Sequence, residues 1–440
     1  TVYAFDLETG CVRWRFAARA EVRTGITLGS RGPEGIPTAY FGDIIANLYA
    51  LDATTGELVW QTSPDDHHSA TLTGTPAFAN GNLYVPVSSL EVVTAANPEY
   101  ACCTFRGHVM AVNGEDGAVL WDSYAIPNAP ISIEDTKAGT KIFAPSGAPV
   151  WTSPTIDAER NLLIFGTGEN YSSPADKNSD AVIAVRLDTG ERIWSRQTFP
   201  DDAWNVACMM VDNPNCPEED GPDYDQASSP LLVDIGDGKT VVVAGQKDGR
   251  VFALDWQTGT KKLWEVRLGR GSIQGGVHFG MAANGATVYV PINDMNDTRN
   301  GEWLDPKTAR PGVSAVDAAT GEVLWSHLQK NVCGEGRPFC DPGVSAAITA
   351  TDRAVIAGHL DGIIRIYDSA SGEIIWAYDT TIPVTGTNGV TAKGGGMSGS
   401  GPALGAGHMV INSGYGLYNH EAGNALLVFA PRSEGAISER

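Results

Sequence analysis

The sequence predicts an all-β fold, an eight-bladed β-propeller, and three observations carry that expectation. A strand–turn–strand unit ending in Trp recurs seven times, and seven of the eleven Trp occupy its last position. Neighbouring copies lie between 46 residues (Trp14 to Trp60) and 73 residues (Trp121 to Trp194) apart, the period of a four-stranded blade. Glycine supplies 51 of 440 residues, well above the usual ~7%, as a chain of many tight turns requires.

The copies read YAFDLETGCVRW (3–14), YALDATTGELVW (49–60), MAVNGEDGAVLW (110–121), IAVRLDTGERIW (183–194), FALDWQTGTKKLW (252–264), SAVDAATGEVLW (314–325) and IYDSASGEIIW (366–376). Each is an apolar strand, a D-x-x-T-G-like turn with Gly at the left-handed position, and a second strand whose Trp anchors neighbouring units. Two further strands precede each hairpin, as at 75–79 and 83–87 around the tight turn Asn80-Gly81. The first copy (2–6 and 11–16) has only the outer two strands. The last (about 401–430) has three, because 425–430 lacks the turn and the Trp. Residues 1–440 are therefore expected to form one propeller domain, with an N-terminal segment bearing the missing strands absent from the sequence. The chain opens on Thr1-Val2-Tyr3 inside a strand, with no signal peptide, so a targeting segment is expected to have been removed.

Turns at one end of the blades are short: Asn80-Gly81, Gly236-Asp237-Gly238 and Asn284-Gly285. All the long connections (89–106, 124–150, 168–180, 197–227, 293–312, 329–343, 380–398) fall on the opposite rim, where a rigid scaffold normally carries its function. Thirty Lys+Arg against 52 Asp+Glu give a net charge of −22, which argues against a nucleic-acid partner. A 42% hydrophobic content suits a packed core, and no apolar run is long enough to span a bilayer. The seven cysteines include three local pairs, Cys102–Cys103, Cys208–Cys216 and Cys333–Cys340, with Cys11 left over. None is a CxxC or CxxCH, and short loops between paired cysteines indicate disulfides and an oxidising, periplasmic or secreted location.

Several rim residues could carry chemistry. Glu91 and Glu169-Asn170 end second strands on the long-loop side, and their oxygens suit a hard cation such as Ca²⁺. Lys247 ends another such strand. Asp201, Asp202 and Asn205 accompany Trp204 in the loop 197–227, where a carboxylate beside an apolar ring could serve as a base. His67-His68 reads as a pair of solvated loop histidines. The carboxylates Asp220, Asp223 and Asp225 lack EF-hand spacing and read as an acidic loop, and 394–396 lacks a Walker signature.

The repeat and these spacings resemble the pyrroloquinoline quinone (PQQ)-dependent alcohol dehydrogenases of the methanol dehydrogenase type. In that family a Thr lies eighteen residues and a Ser three residues before a calcium-ligating Glu, as Thr73 and Ser88 do before Glu91. The Trp on which the quinone stacks lies eighteen before a calcium-ligating Asn, as Trp151 does before Glu169, with Asn170 following. Lys247 matches the Lys or Arg beside the quinone carbonyls. The segments TGCVRWRF (9–16), VRTGITLG (22–29), SSLE (88–91), YACCTFRGHVMAV (100–112) and DDAWNVAC (201–208) are similar to the polyvinyl alcohol dehydrogenase subgroup. The resemblance implies PQQ and Ca²⁺ as cofactors, a polymeric or small secondary alcohol as substrate and cytochrome c as electron acceptor. It implies a cofactor site of Thr73, Ser88, Arg106, Trp151, Lys247 and the Cys102–Cys103 pair, and a metal site of Glu91 with Glu169 or Asn170. Asn205 stands where the family has its catalytic Asp, which leaves Asp202 as first candidate base and Asp201 as second, with Asn205 orienting. Two other readings remain open: a non-catalytic scaffold propeller that binds proteins, and a PQQ dehydrogenase for another alcohol or sugar.

Overall fold

The computed structural model describes residues 1–136, 139–295, 308–334, 336–337 and 339–431. It is built from antiparallel sheets that follow one another in chain order. Blade one contains Thr27–Arg31, Ile36–Gly42, Leu48–Asp52 and Leu58–Thr62; blade two contains Ala77–Ala79, Asn82–Ser89, His108–Asn113 and Val119–Tyr124. Blade three contains Thr155–Asp157, Leu162–Gly166, Ala181–Arg186 and Arg192–Gln197; blade four contains Leu231–Asp234, Thr240–Gly245, Arg250–Asp255 and Lys262–Arg267. Blade five contains Ala282–Asn284, Thr287–Ile292, Gly312–Asp317 and Val323–Leu328; blade six contains Thr349–Ala350, Ala354–Gly358, Ile363–Asp368 and Ile374–Asp379. Among the described residues blade seven has three strands, Ala403–Gly405, His408–Ser413 and Ala425–Phe429.

The structure thus has seven blades, not the eight expected. The residues assigned to the extra blade form only the hairpin Val2–Phe5 and Val12–Phe16, whose Trp14 and Phe16 pack on Phe41, Tyr49 and Leu51 of blade one. The physical reason is that the Trp-ending repeat marks the outer strand pair alone. Counting copies counts hairpins, and a hairpin without inner strands is not a blade. Of the long loops, 293–312 lies largely outside the described residues.

The repeat has a local cause at each position. Its Asp caps the turn, as where Asp52 Oδ1 accepts from the amides of Thr54 and Thr55 at 2.8 and 2.9 Å. Each outer hairpin carries a bulge at the same place, as at Ala50/Leu51 and Ala184/Val185. The turn Gly is needed twice over. Gly190 has φ +70°, and an added Cβ would lie 2.5 Å from Cε3 of Trp121 in the preceding blade. The Trp indoles also donate across the blade boundary, Trp194 to the Trp256 carbonyl at 2.9 Å and Trp264 to the Ala318 carbonyl at 2.8 Å. Apolar clusters fill the seams between blades, such as Tyr84, Val109, Leu163, Phe165 and Ile183 between blades two and three. The three disulfides form in the expected pairs, and Cys11 is free and exposed.

Candidate active site

Four chain segments meet where blades three and four adjoin. Trp151 lies just before the first strand of blade three, Glu169 just after its second strand, and Lys247 just after the second strand of blade four. Asp223 and Asp225 lie in the loop that enters blade four. Lys247 Nζ sits 3.0 Å from Asp223 Oδ1 and 2.7 Å from Asp225 Oδ2. Trp151 Nε1 donates to Asp225 Oδ2 at 3.1 Å, and the Glu169 amide donates to Asp225 Oδ1 at 3.0 Å. The Lys247 ammonium also lies 5.5 Å from the Trp151 ring centroid. Edge-on contacts from His278 and Phe279, at 5.7 and 5.8 Å, fix the orientation of Trp151, and His278 Nδ1 is tied to Ser345 Oγ at 2.8 Å.

The electrostatics follow from burial. Glu169, Asp223 and Asp225 are all buried, with ligand oxygens within 4.8 Å of one another. Burial, then repulsion from Asp225 and Asp223, pushes Glu169 well above the usual carboxylate range. Burial also pushes Asp223 well up against the pull of Lys247. Burial opposes ionisation of Asp225 too, but Lys247 and the contacts with Glu169 hold it below its ordinary value. Burial would lower Lys247, yet Asp223, Asp225 and Glu169 raise it well above normal. Three buried carboxyl groups beside one ammonium are a donor set that fits a hard divalent cation, which would take the place of the protons that burial favours on Glu169 and Asp223. The half-buried ring of Trp151 beside it offers a flat apolar surface that fits a ring system, and Gly74 keeps the neighbouring wall thin. A Cβ there would lie 2.9 Å from the Thr152 carbonyl oxygen.

The remaining sequence-derived candidates fall in three groups. Asp202 braces the centre from behind: Oδ2 accepts from the Tyr224 amide at 2.8 Å, Oδ1 from the Asp223 amide at 3.3 Å, and its carbonyl accepts from the Asn170 amide at 3.2 Å. Burial pushes Asp202 up to about 6. Asp201 is exposed and Asn205 is buried, its side chain joining the Tyr171 and Asn215 carbonyls and the Ala207 amide. Asn170 uses its amide on the Ser146 carbonyl and the Asp176 N–H. Glu91, fully buried, accepts from Tyr100 Oη at 2.7 Å and from the amides of Thr104 and Phe105 at 2.8 Å each, and its oxygens do not join the carboxylate cluster.

Those two amides directly follow the Cys102–Cys103 disulfide, which is buried in the core of blade two beside Phe105 and Tyr171. Ser88 is buried and pairs with Thr71, while Thr73 is half-buried next to Gly74. Arg106 turns to the carbonyls of Ile126 and Pro127, both at 3.1 Å, and stacks 3.8 Å over Tyr124. The structure therefore brings together Trp151, Glu169 and Lys247 from the sequence-derived set. It adds Asp223 and Asp225, which sequence reasoning set aside. Their signal was two carboxylates at i and i+2 on extended chain just ahead of a blade's first strand, so that both point to one side.

Residues 1–269 match the family model described as glucose/ethanol/alcohol dehydrogenase, beta-propeller domain, and 179–415 match that for outer membrane protein assembly factor BamB. A polyvinylalcohol dehydrogenase from a Pseudomonas species is 35% identical over 98% of this chain and 67% of its own length. Another, from a Sphingopyxis species, is 36% identical over 96% of this chain and 65% of its own. The chain thus spans about two thirds of the length of these relatives. Among solved structures, the quinohemoprotein alcohol dehydrogenase of Comamonas testosteroni superposes with a TM-score of 0.64 at 19% identity, covering 98% of this chain and 72% of that one.

Proposed function

The chain belongs to the PQQ dehydrogenase β-propeller family, and from that premise we propose that its rim site binds PQQ with Ca²⁺ and oxidises secondary alcohols, poly(vinyl alcohol) among them, with cytochrome c as acceptor. The observation that carries the reading is the buried Glu169–Asp223–Asp225 cluster with Lys247 against the face of Trp151. When bound, PQQ would supply a hydride-accepting carbonyl and Ca²⁺ a Lewis acid beside it.

Glu169 and Asp225 would hold the cation through their oxygens, and its charge would stand in for the proton that burial favours on Glu169. Trp151 forms one apolar wall of the cofactor slot, and Thr73 and Ser88 line the chain beside it. Lys247 donates hydrogen bonds and steadies negative charge. Asp223 is a better base than Asp202. Both Asp202 oxygens accept backbone amides, whereas Asp223 meets Lys247 through Oδ1 and its Oδ2 takes no hydrogen bond among the described residues. With the cation and Lys247 holding its carboxyl ionised against burial, Asp223 Oδ2 would take the hydroxyl proton, and Asp202 holds Asp223 in place. Three disulfides suit a periplasmic or secreted protein, and no helix among the described residues is long and apolar enough to cross a membrane. A scaffold propeller, the reading favoured by the BamB match, has no use for three buried carboxylates.

The test is a calorimetric titration of PQQ with and without Ca²⁺, followed by dye reduction with a secondary alcohol. PQQ is expected to bind tightly only with Ca²⁺. Glu169→Gln should lose that calcium dependence, and Asp223→Asn should keep binding while turnover falls about 10²–10⁴-fold. A protein that binds neither PQQ nor Ca²⁺ would return the scaffold reading.

A further inference from the structure

Between the brace Asp202 and the base Asp223 the chain passes through the span closed by the Cys208–Cys216 disulfide. Within it Met209, Met210 and Val211 are 54%, 50% and 92% exposed, three consecutive apolar side chains in water. Their exposure does not come from a loose loop. Asn213 Nδ2 donates to the Ala96 carbonyl at 2.8 Å, and buried Asn215 donates to the carbonyls of Ala95, Asn97 and Tyr100 at 2.9–3.1 Å. Asn205 holds the Asn215 carbonyl from the other side at 2.7 Å. The short helix Glu91–Thr94, against which the turn Val206–Met209 packs, adds Val93, itself 53% exposed. A rigid ridge that keeps apolar side chains in water at a steady hydrophobic cost calls for an occupant.

We propose that this ridge is a docking platform for the backbone of an uncharged, hydroxyl-bearing polymer whose carbinol groups are oxidised at the Asp223 site. The inference rests on the secondary-alcohol reading for its substrate and adds where the polymer lies. Two observations select this occupant. Asp212 is the one charged residue between Asp202 and Glu218, so the ridge offers a polycation a single carboxylate and a polyanion no cation, and a net charge of −22 repels polyanions. Four part-exposed side chains fall well short of the roughly 800 Å² per partner that a specific protein complex buries. A chain alternating methylene and carbinol groups is narrow enough to lie along them. Its methylenes meet Met and Val while its hydroxyls stay hydrated or enter the site, and flexible methionines adapt to its irregular stereochemistry. A small alcohol reaches the site without the ridge.

The test substitutes Met209→Ser, Met210→Ser and Val211→Ser together, leaving the disulfide, Asn213 and Asn215 in place, with an unchanged melting temperature as the folding control. Electrophoresis of the protein without cofactor, through gels containing poly(vinyl alcohol), reads polymer binding apart from catalysis. The unaltered protein should be retarded and the triple variant should not. In the PQQ–Ca²⁺ holoenzyme, kcat/KM for the polymer should fall at least about tenfold, while that for pentan-2-ol stays the same. An unretarded native protein, a variant retarded like the native one, or equal losses on both substrates would overturn the platform. A holoenzyme inert towards every secondary alcohol, with retardation still lost in the variant, would overturn the catalytic reading and leave the platform supported.

Discussion

Asp180 shows how much a single side chain can set against the fold. It is fully buried, and neither carboxylate oxygen has a hydrogen bond of good geometry among the described residues. Burial, then repulsion from Asp202, Asp225 and Asp223, raises it well above the ordinary Asp value. The folded protein therefore keeps a proton that the unfolded chain has lost at neutral pH. Folding takes up that proton, so Asp180 lowers stability progressively as pH rises above about 4. Asp180→Asn removes the titration, keeps the shape and tolerates the residue's φ of 49°. Its melting temperature should exceed that of the native protein at pH 8, with the margin shrinking towards pH 4. A margin that does not change with pH would show that Asp180 is ionised in the fold.

At the scale of the element, the repeat works because its turn and its Trp belong to different contacts. The turn glycine accepts a left-handed backbone and also leaves room for the previous blade's indole, and two substitutions separate these roles. Gly81→Ala meets positive φ (+78°) with open space around the new Cβ. It should cost about 1–2 kcal/mol from backbone strain alone. Gly190→Ala meets a similar φ of +70° and also the Trp121 ring at 2.5 Å. It should cost distinctly more, by the ~1–3 kcal/mol typical of overpacking. Denaturant melts of the two variants compare them directly, and equal losses would show that the Trp–Gly seam adds nothing to holding the blades together.

For the whole molecule, the charge of −22 sets a long-range field that every electron acceptor must cross. With a cationic acceptor the second-order reoxidation rate should fall as ionic strength rises from 0.01 to 0.15 M, because the Debye length shrinks from about 30 to about 8 Å. With an anionic acceptor such as ferricyanide the rate should rise over the same range. Stopped-flow traces of the reduced enzyme read both. Reversed salt responses would mean that the electron exit sits in a patch of opposite local charge, and identical ones that it carries no net local charge.

What the sequence by itself determined was whatever repeats or is local. The Asp-capped turns, the Trp anchors, the three disulfide pairs and the long-loop rim all depend on near neighbours or on a period, and both are visible in one dimension. Trp151, Glu169 and Lys247 were legible for a related reason: each sits at a fixed offset from a blade strand, so its position is set by the repeat. The blade count was not legible, because a hairpin and a complete blade share the same outer-strand signature and differ only in inner strands that carry no motif. Asp223 and Asp225 were also missed. On the chain they are two acids in a polar loop, and only docking of that loop between Trp151 and Lys247 turns solvated charges into a buried cluster. The tertiary structure likewise set the hydrogen-bond partners of Glu91, Asn170 and Asp202. A carboxylate or an amide can ligate a cation, accept a proton or hold a backbone amide equally well, and the choice lies with whichever partners the fold brings within hydrogen-bond reach, which no spacing along the chain encodes.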